Sequence, residues 1–234
     1  MPMIPFARRT WILGLLLLCL PLKGGLGPEQ ASDPLPDAEC RAVLKEMAQS
    51  LLSHATLKAR FLQDRRLALF DDVLKMKGYF YYQKPGRIRW EFTDPYASIL
   101  LVLEDGRLER FDVAAGKAIK VPTDDRQISG EVLNQISRWM SGDLDRALKD
   151  FEVKMVRGAS YHLTLRPKSQ ALAGFLSQIE FEIDARSYLV LAITLRESGN
   201  DATVIRFLDQ SVDAALPDRL FDAKGPRLLA DAER

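Results

Sequence analysis

The strongest constraint in this 234-residue chain is an alternation of apolar and polar side chains that restarts after each turn signal. Phe80 and Tyr82 alternate with Tyr79 and Tyr81, and Ile88, Trp90 and Phe92 alternate with Arg87, Arg89 and Glu91. A period of two sends successive side chains to opposite faces, so each run predicts a strand with one face buried and one wet. The same pattern returns at Phe151, Val153 and Met155, at Tyr161, Leu163 and Leu165, and at Ile179, Phe181 and Ile183, with further strands at 188–195 and 203–208. Residues 98–103 are nearly all apolar, which predicts a strand covered on both faces. Asp105-Gly106 and Ala115-Gly116 supply hairpin turns, because glycine reaches positive φ at little cost. Short strands between regular turns predict an antiparallel meander.

Two stretches break the strand period. Val43, Leu44, Met47, Leu51 and Leu52 fall at helical spacing after Asp37, which predicts an amphipathic helix capped by Asp37 and ending near His54. Residues 129–149 carry a second helical stripe of Leu133, Ile136, Met140 and Leu144, broken at Ser141-Gly142 into two short helices. That stripe has to cover something apolar. Met140 suits an adaptable wall, since its side chain is flexible.

The first 32 residues are expected to be a secretory signal peptide. Arg8 and Arg9 precede an uncharged run over residues 11–22, and Lys23, Gly24, Gly25, Gly27 and Pro28 close it. The run is shorter than the roughly 20 residues a membrane span needs. Without residues 1–32 the chain carries 30 basic and 31 acidic residues and one cysteine, Cys40. An exported chain with a single thiol has no internal disulfide, and Cys40 is expected as a semi-buried helix residue. A near-neutral charge excludes the concentrated basic footprint that nucleic-acid binding requires. The remaining segments are one domain over residues 33–224 and a polar tail over 225–234.

No residue set announces catalysis or metal binding. His54 and His162 are isolated in the sequence, and no zinc, Walker or nucleophile-elbow spacing occurs. The pairs Asp71-Asp72 and Asp124-Asp125 read as solvated turns. The expectation is a non-enzyme with no catalytic residue, no metal and no cofactor.

Several strings together resemble the LolA family of periplasmic lipoprotein carriers. Gly78, Lys84, Pro85, Ile88, Arg89 and Trp90 sit in a string over 78–91 that looks like the family's G-x-(aromatic or aliphatic)-x-x-x-[KR]-P-x-x-F-R-W core. Phe61-Leu62-Gln63 is similar to its F-x-Q, Asp105-Gly106 to its D-G turn, residues 161–168 to its L-x-L-x-P-K segment, and Leu216-Pro217-Asp218 with Phe221 to its closing L-P-D-x-x-F. The chain departs from the family after Phe221, where an F-x-x-P-x-G type ending is expected. Ile88 stands where the family has Phe, and Lys84 where its best-studied members have Arg.

The resemblance implies a mainly β, α+β fold: an incomplete antiparallel β-barrel, or half-barrel, covered by a helical lid. It implies an acyl-chain cavity lined by Phe80, Tyr82, Ile88, Trp90 and Phe92 from the strands and by Leu133, Ile136 and Met140 from the lid. In the family the basic residue before the proline contacts the lid, so Lys84 is expected there, although lysine lacks arginine's planar, bidentate fork. Arg89 has the opposite parity and is expected in an ion pair on the outer face. The implied function is a periplasmic carrier that moves lipoproteins from the inner to the outer membrane. Its implied partners are acylated lipoproteins, an inner-membrane releasing complex and, where one is present, an outer-membrane receptor, with the carrier itself a monomer. Two alternatives share the fold: a carrier of another lipid or glycolipid, and a periplasmic lipoprotein-sensing module.

Overall fold

The computed structural model describes residues 33–122, 149–224 and 226–229. Residues 32–234 cluster as one compact unit. The signal peptide expected at 1–32 lies outside the described residues, as does the helical stretch at 129–148 with Leu133, Ile136 and Met140.

Helix α1 (Asp37–Ser53) opens the fold and is followed by strands β1 (Thr56–Arg66), β2 (Val73–Gln83), β3 (Arg87–Asp94), β4 (Ser98–Val102), β5 (Leu108–Ala114) and β6 (Lys117–Val121). After the second described segment begins come β7 (Phe151–Arg157), β8 (Ser160–Pro167), a one-turn helix α2 (Gln170–Ala173), β9 (Leu176–Asp184), β10 (Val190–Glu197), β11 (Ala202–Val212) and a 3₁₀ turn (Asp218–Phe221). All described strands join one open, unclosed antiparallel sheet in the order β6-β5-β4-β3-β2-β1-β11-β10-β9-β8-β7. Every strand pair is a sequence neighbour except β1 with β11, which pair through Phe61↔Phe207 and Gln63↔Ile205.

The alternation predicts the inner face correctly, but the outer face of β2 and β3 is not wet: Tyr81, Arg89 and Glu91 are buried there too, under the C-terminal segment. Phe80 lies opposite Trp90 and Tyr82 opposite Ile88, and all four are buried on the inner face with Leu57, Ala59 and Phe61 of β1. Helix α1 lays Cys40, Val43, Leu44, Met47 and Leu51 on that face, while Leu52 is exposed. Asp37 is the first helical residue rather than the cap; Pro36 precedes it and no side chain caps the helix. Asp37 and Glu39 instead place negative charge in the first turn, where the helix dipole favours it. Burial pushes the Cys40 thiol up from its usual range, which leaves it protonated and inert.

Strand β4 is covered on both faces, as its composition requires. Val102 joins the inner cluster, while Ile99 and Leu101 pack outward with Phe111, Ala223 and Leu228. The outer cover is the chain's own C-terminal segment, whose Leu220, Phe221 and Leu229 also bury Tyr81. Residues 226 and 229, inside the segment expected as a polar tail, are buried against the sheet.

Arg89 and Glu91 form the expected outer-face ion pair, at 2.5 Å and almost completely buried. Arg89 Nη1 donates to the carbonyl of Leu220 (3.0 Å) and Nη2 to that of Arg227 (2.6 Å). Glu91 Oε1 accepts from the backbone N–H of Leu229 (3.1 Å). The pair therefore holds the C-terminal segment through main-chain atoms.

Candidate functional site

The candidate site is the apolar space between α1 and the inner face of the sheet. Its aromatic wall is built across four strands, β1, β2, β3 and β11. The Trp90 ring lies 4.8 Å from Phe80 and 5.1 Å from Phe61 in edge-to-face contacts, and Phe207 of β11 completes the set at 5.5 Å from Phe80. Phe92 packs on Phe61 at 5.1 Å and is only half-buried. Edge-to-face contacts of this kind add about 0.5–1.5 kcal/mol beyond area burial.

A cavity of about 30 Å³ remains between helix and sheet. Met47 and Leu51 of α1 form its roof, Phe80, Ile193 and Phe207 its floor, and Gln210 its polar wall. Gln210 turns its amide N–H to the carbonyl of Val190 (3.0 Å). Of the strand residues expected to line a cavity, Phe80 does so; Tyr82, Ile88 and Trp90 extend the same buried face beside it. Sequence reading missed the contributions of α1, β10 and β11. The apolar parity of Ile193 and Phe207 was visible, but nothing local says that β11 pairs with β1.

Polar ties at the ends and along one flank hold α1 on this face. Lys84 Nζ donates to the carbonyl of Leu52 in the last helical turn, where the dipole favours a cation. Lys84 thus meets α1; the lid contact expected for it falls on residues outside those described. His54 Nδ1 lies 2.7 Å from Asp213 Oδ2, and Asp213 Oδ1 accepts from the backbone of Ala55 (2.7 Å). Ser50 Oγ donates to the carbonyl of Ser187 (3.1 Å), and Arg157 pairs with Glu39 (3.1 Å). Tyr188 donates its hydroxyl to Glu46, which pushes the phenol up to about 12.

The hydrogen bonds from His54 and Ala55 hold the Asp213 carboxyl below the usual carboxylate range. A depressed folded pKa stabilises fully above the unfolded value of about 3.9 and loses that contribution as pH falls through the folded value. Asp213→Asn should therefore lower the thermal midpoint at pH 7, and the gap from the parent should narrow below about pH 4. Melting curves of both proteins between pH 7 and 3 check this. A gap unchanged across that range would remove Asp213 as an anchor.

Ser160, His162 and Glu182 also meet, on the outer face. Ser160 Oγ lies 3.2 Å from His162 Nε2 and donates to Glu182 Oε1 at 3.1 Å. The carboxylate binds the serine rather than orienting the imidazole, so the relay of a nucleophile, base and orienting acid is not assembled. Among the described residues no group of three His, Cys, Asp or Glu side chains is placed to hold a metal.

Residues 53–224 match the family described as outer membrane lipoprotein carrier protein LolA. No curated protein matches the chain. Solved structures of similar fold include a DUF1329 family protein from Desulfovibrio piger, at 13% identity and a TM-score of 0.46 over 80% of this chain and 97% of that one. Another is the LolA superfamily protein NE2245 from Nitrosomonas europaea, at 11% identity and 0.40 over 78% and 97%. A third is the MucA/MucB complex of Pseudomonas aeruginosa, at 13% and 0.39 over 80% and 64%.

Proposed function

Because the chain belongs to the LolA family of outer membrane lipoprotein carrier proteins, we propose that it binds the acyl chains of lipoproteins and carries them through the periplasm. It receives them from an inner-membrane releasing complex and delivers them to the outer membrane, as a monomer, without catalysis and without a cofactor. The observation that carries this reading is the cavity under α1: apolar except for Gln210, and roofed by a helix fastened through a handful of polar ties.

A space of about 30 Å³ holds one or two water molecules and no acyl chain. Loading therefore displaces a wall, and the acyl chain takes over the apolar contacts that α1 gives up. Each tie contributes about 1 kcal/mol net, so burying roughly ten methylenes at about 0.8 kcal/mol each offsets their release. Full burial of three chains of about 15 methylenes each would gain roughly 36 kcal/mol, well past the roughly 20 kcal/mol at which non-covalent binding saturates. Partial burial keeps the cargo releasable without a nucleotide site. Among the described residues Trp90 Nε1 is buried with no acceptor, and it can serve the ester carbonyl of a bound chain.

The test is native mass spectrometry of the protein purified from the periplasm. Co-purified acylated lipoprotein is the expected result. Free lipid or glycolipid alone would replace this reading with a carrier of another lipid, and an empty protein under all growth conditions would overturn it.

A further inference from the structure

Eight large apolar side chains are exposed among the described residues, and five of them gather at one end of the sheet. Adjacent strands are antiparallel, so the turns after β1, β3, β8 and β10 all fall at the end opposite His54, Lys84 and Asp213. Leu69 (91% exposed) and Phe70 (65%) form the β1–β2 tip, with Leu74 just inside it. Tyr96 (73%) sits in the β3–β4 turn and Phe175 (62%) at the entry to β9. Hydrogen bonds join three of the loops along this rim, β1–β2, β10–β11 and β8–β9: Ala68 N–H donates to Asp201 Oδ1 (2.7 Å), and Ser198 N–H to the carbonyl of Phe175 (3.1 Å). Single exposed apolar residues are ordinary, but loop tips that collect aromatic and leucine side chains at one end call for a function.

We infer that this rim is a docking surface for the zwitterionic face of a lipid bilayer. The shape favours a lipid surface over a protein partner. The apolar groups stand on separate projecting tips with charged residues between them, so they can enter the interface individually while the charges stay among headgroups. Tyrosine suits that layer, with an apolar ring and a polar tip. The charges exclude attraction to an anionic surface as the driving force. Residues 64–77, 94–97, 168–176 and 197–201 carry five basic and six acidic side chains, and several are paired within the rim, Lys77 with Asp94 at 3.5 Å and Arg65 with Glu197 at 3.7 Å. Surface pairs of this kind leave little net field. The rim is separate from the space under α1, so the inference stands whatever that space carries.

The experiment is vesicle flotation of residues 32–234, the compact unit, because the apolar run over 11–22 would bind lipid by itself. The parent should float with phosphatidylcholine vesicles, and adding phosphatidylglycerol should leave the bound fraction within twofold. Leu69→Ser with Phe70→Ser should reduce binding at least tenfold, and adding Phe175→Ser should abolish it. Leu62→Ser, an exposed leucine on the middle of β1, should bind like the parent. All variants should keep the parent's melting temperature, since the tips are exposed. A parent that stays unbound, a double variant that floats like the parent, or flotation only with anionic vesicles would each overturn the proposal. Rim-dependent self-association in sedimentation without flotation would do so too, by assigning the rim to a second copy of the chain.

Discussion

Arg89→Ala should destabilise the protein by about 3–5 kcal/mol, the cost of stranding a buried charge. Glu91 is fully buried and would lose its charge partner while still facing the Leu229 N–H. The carbonyls of Leu220 and Arg227 would lose their donor at the same time. For a chain of this length about 2–4 °C of melting temperature accompanies each kcal/mol, so the midpoint should fall by roughly 10 °C or more. The C-terminal segment should loosen first, and limited proteolysis should cut between residues 214 and 229 before the strands. Arg89→Lys should recover little, because an ammonium cannot meet one carboxylate and two carbonyls in a plane. The double variant Arg89→Met with Glu91→Leu should be milder than Arg89→Ala, since removing both charges strands neither. A fall of under 1 kcal/mol for Arg89→Ala would mean that water reaches Glu91 and that the pair is no clamp.

Gly78→Ala should be nearly as damaging. A methyl group there would lie 1.9 Å from the carbonyl oxygen of Glu91 and 2.9 Å from Phe61 Cζ. The first neighbour is backbone, so the strands themselves must part. The pairing of β2 with β3 already shifts between Lys77 and Gly78, and a glycine at such a place marks a close approach of two backbones. Moving Phe61 would also disturb its contacts with Trp90 and Phe92. Overpacking in a filled interior costs about 1–3 kcal/mol and more where backbone must move, so about 3 kcal/mol is expected. Urea unfolding monitored by circular dichroism measures it. Gly86→Ala is the internal comparison, because a methyl group there meets nothing; equal losses at both positions would remove the steric explanation.

Much of this was legible in the sequence, wherever the physics is local. The parity of Phe80, Tyr82, Ile88 and Trp90 fixed the inner face, and the opposite parity of Arg89 placed it outside. The Ala115-Gly116 turn, both residues at positive φ, was visible as a dipeptide. The contacts that fasten α1 were not legible. Lys84 meets a carbonyl 32 residues earlier, and His54 meets an aspartate 159 residues later. Periodicity says which side of a strand is apolar and is silent on which distant segment covers it. The outer cover of β4 shows the same limit: its two apolar faces demanded a partner, and the partner proved to be the chain's own end, in residues whose composition looked polar.

The pairing of β1 with β11 has a consequence for how the molecule assembles. The other pairings connect sequence neighbours, so the sheet consists of two locally encoded meanders and one seam that spans most of the chain. Contacts between distant residues are slow to form because the intervening loop must first be ordered. Each meander can therefore zip on its own, while the seam waits until β11 has been synthesised. Until that moment β1 presents an unpaired edge, which is an aggregation hazard in a nascent β protein. The last strand made is thus the one that joins the two meanders into a single sheet.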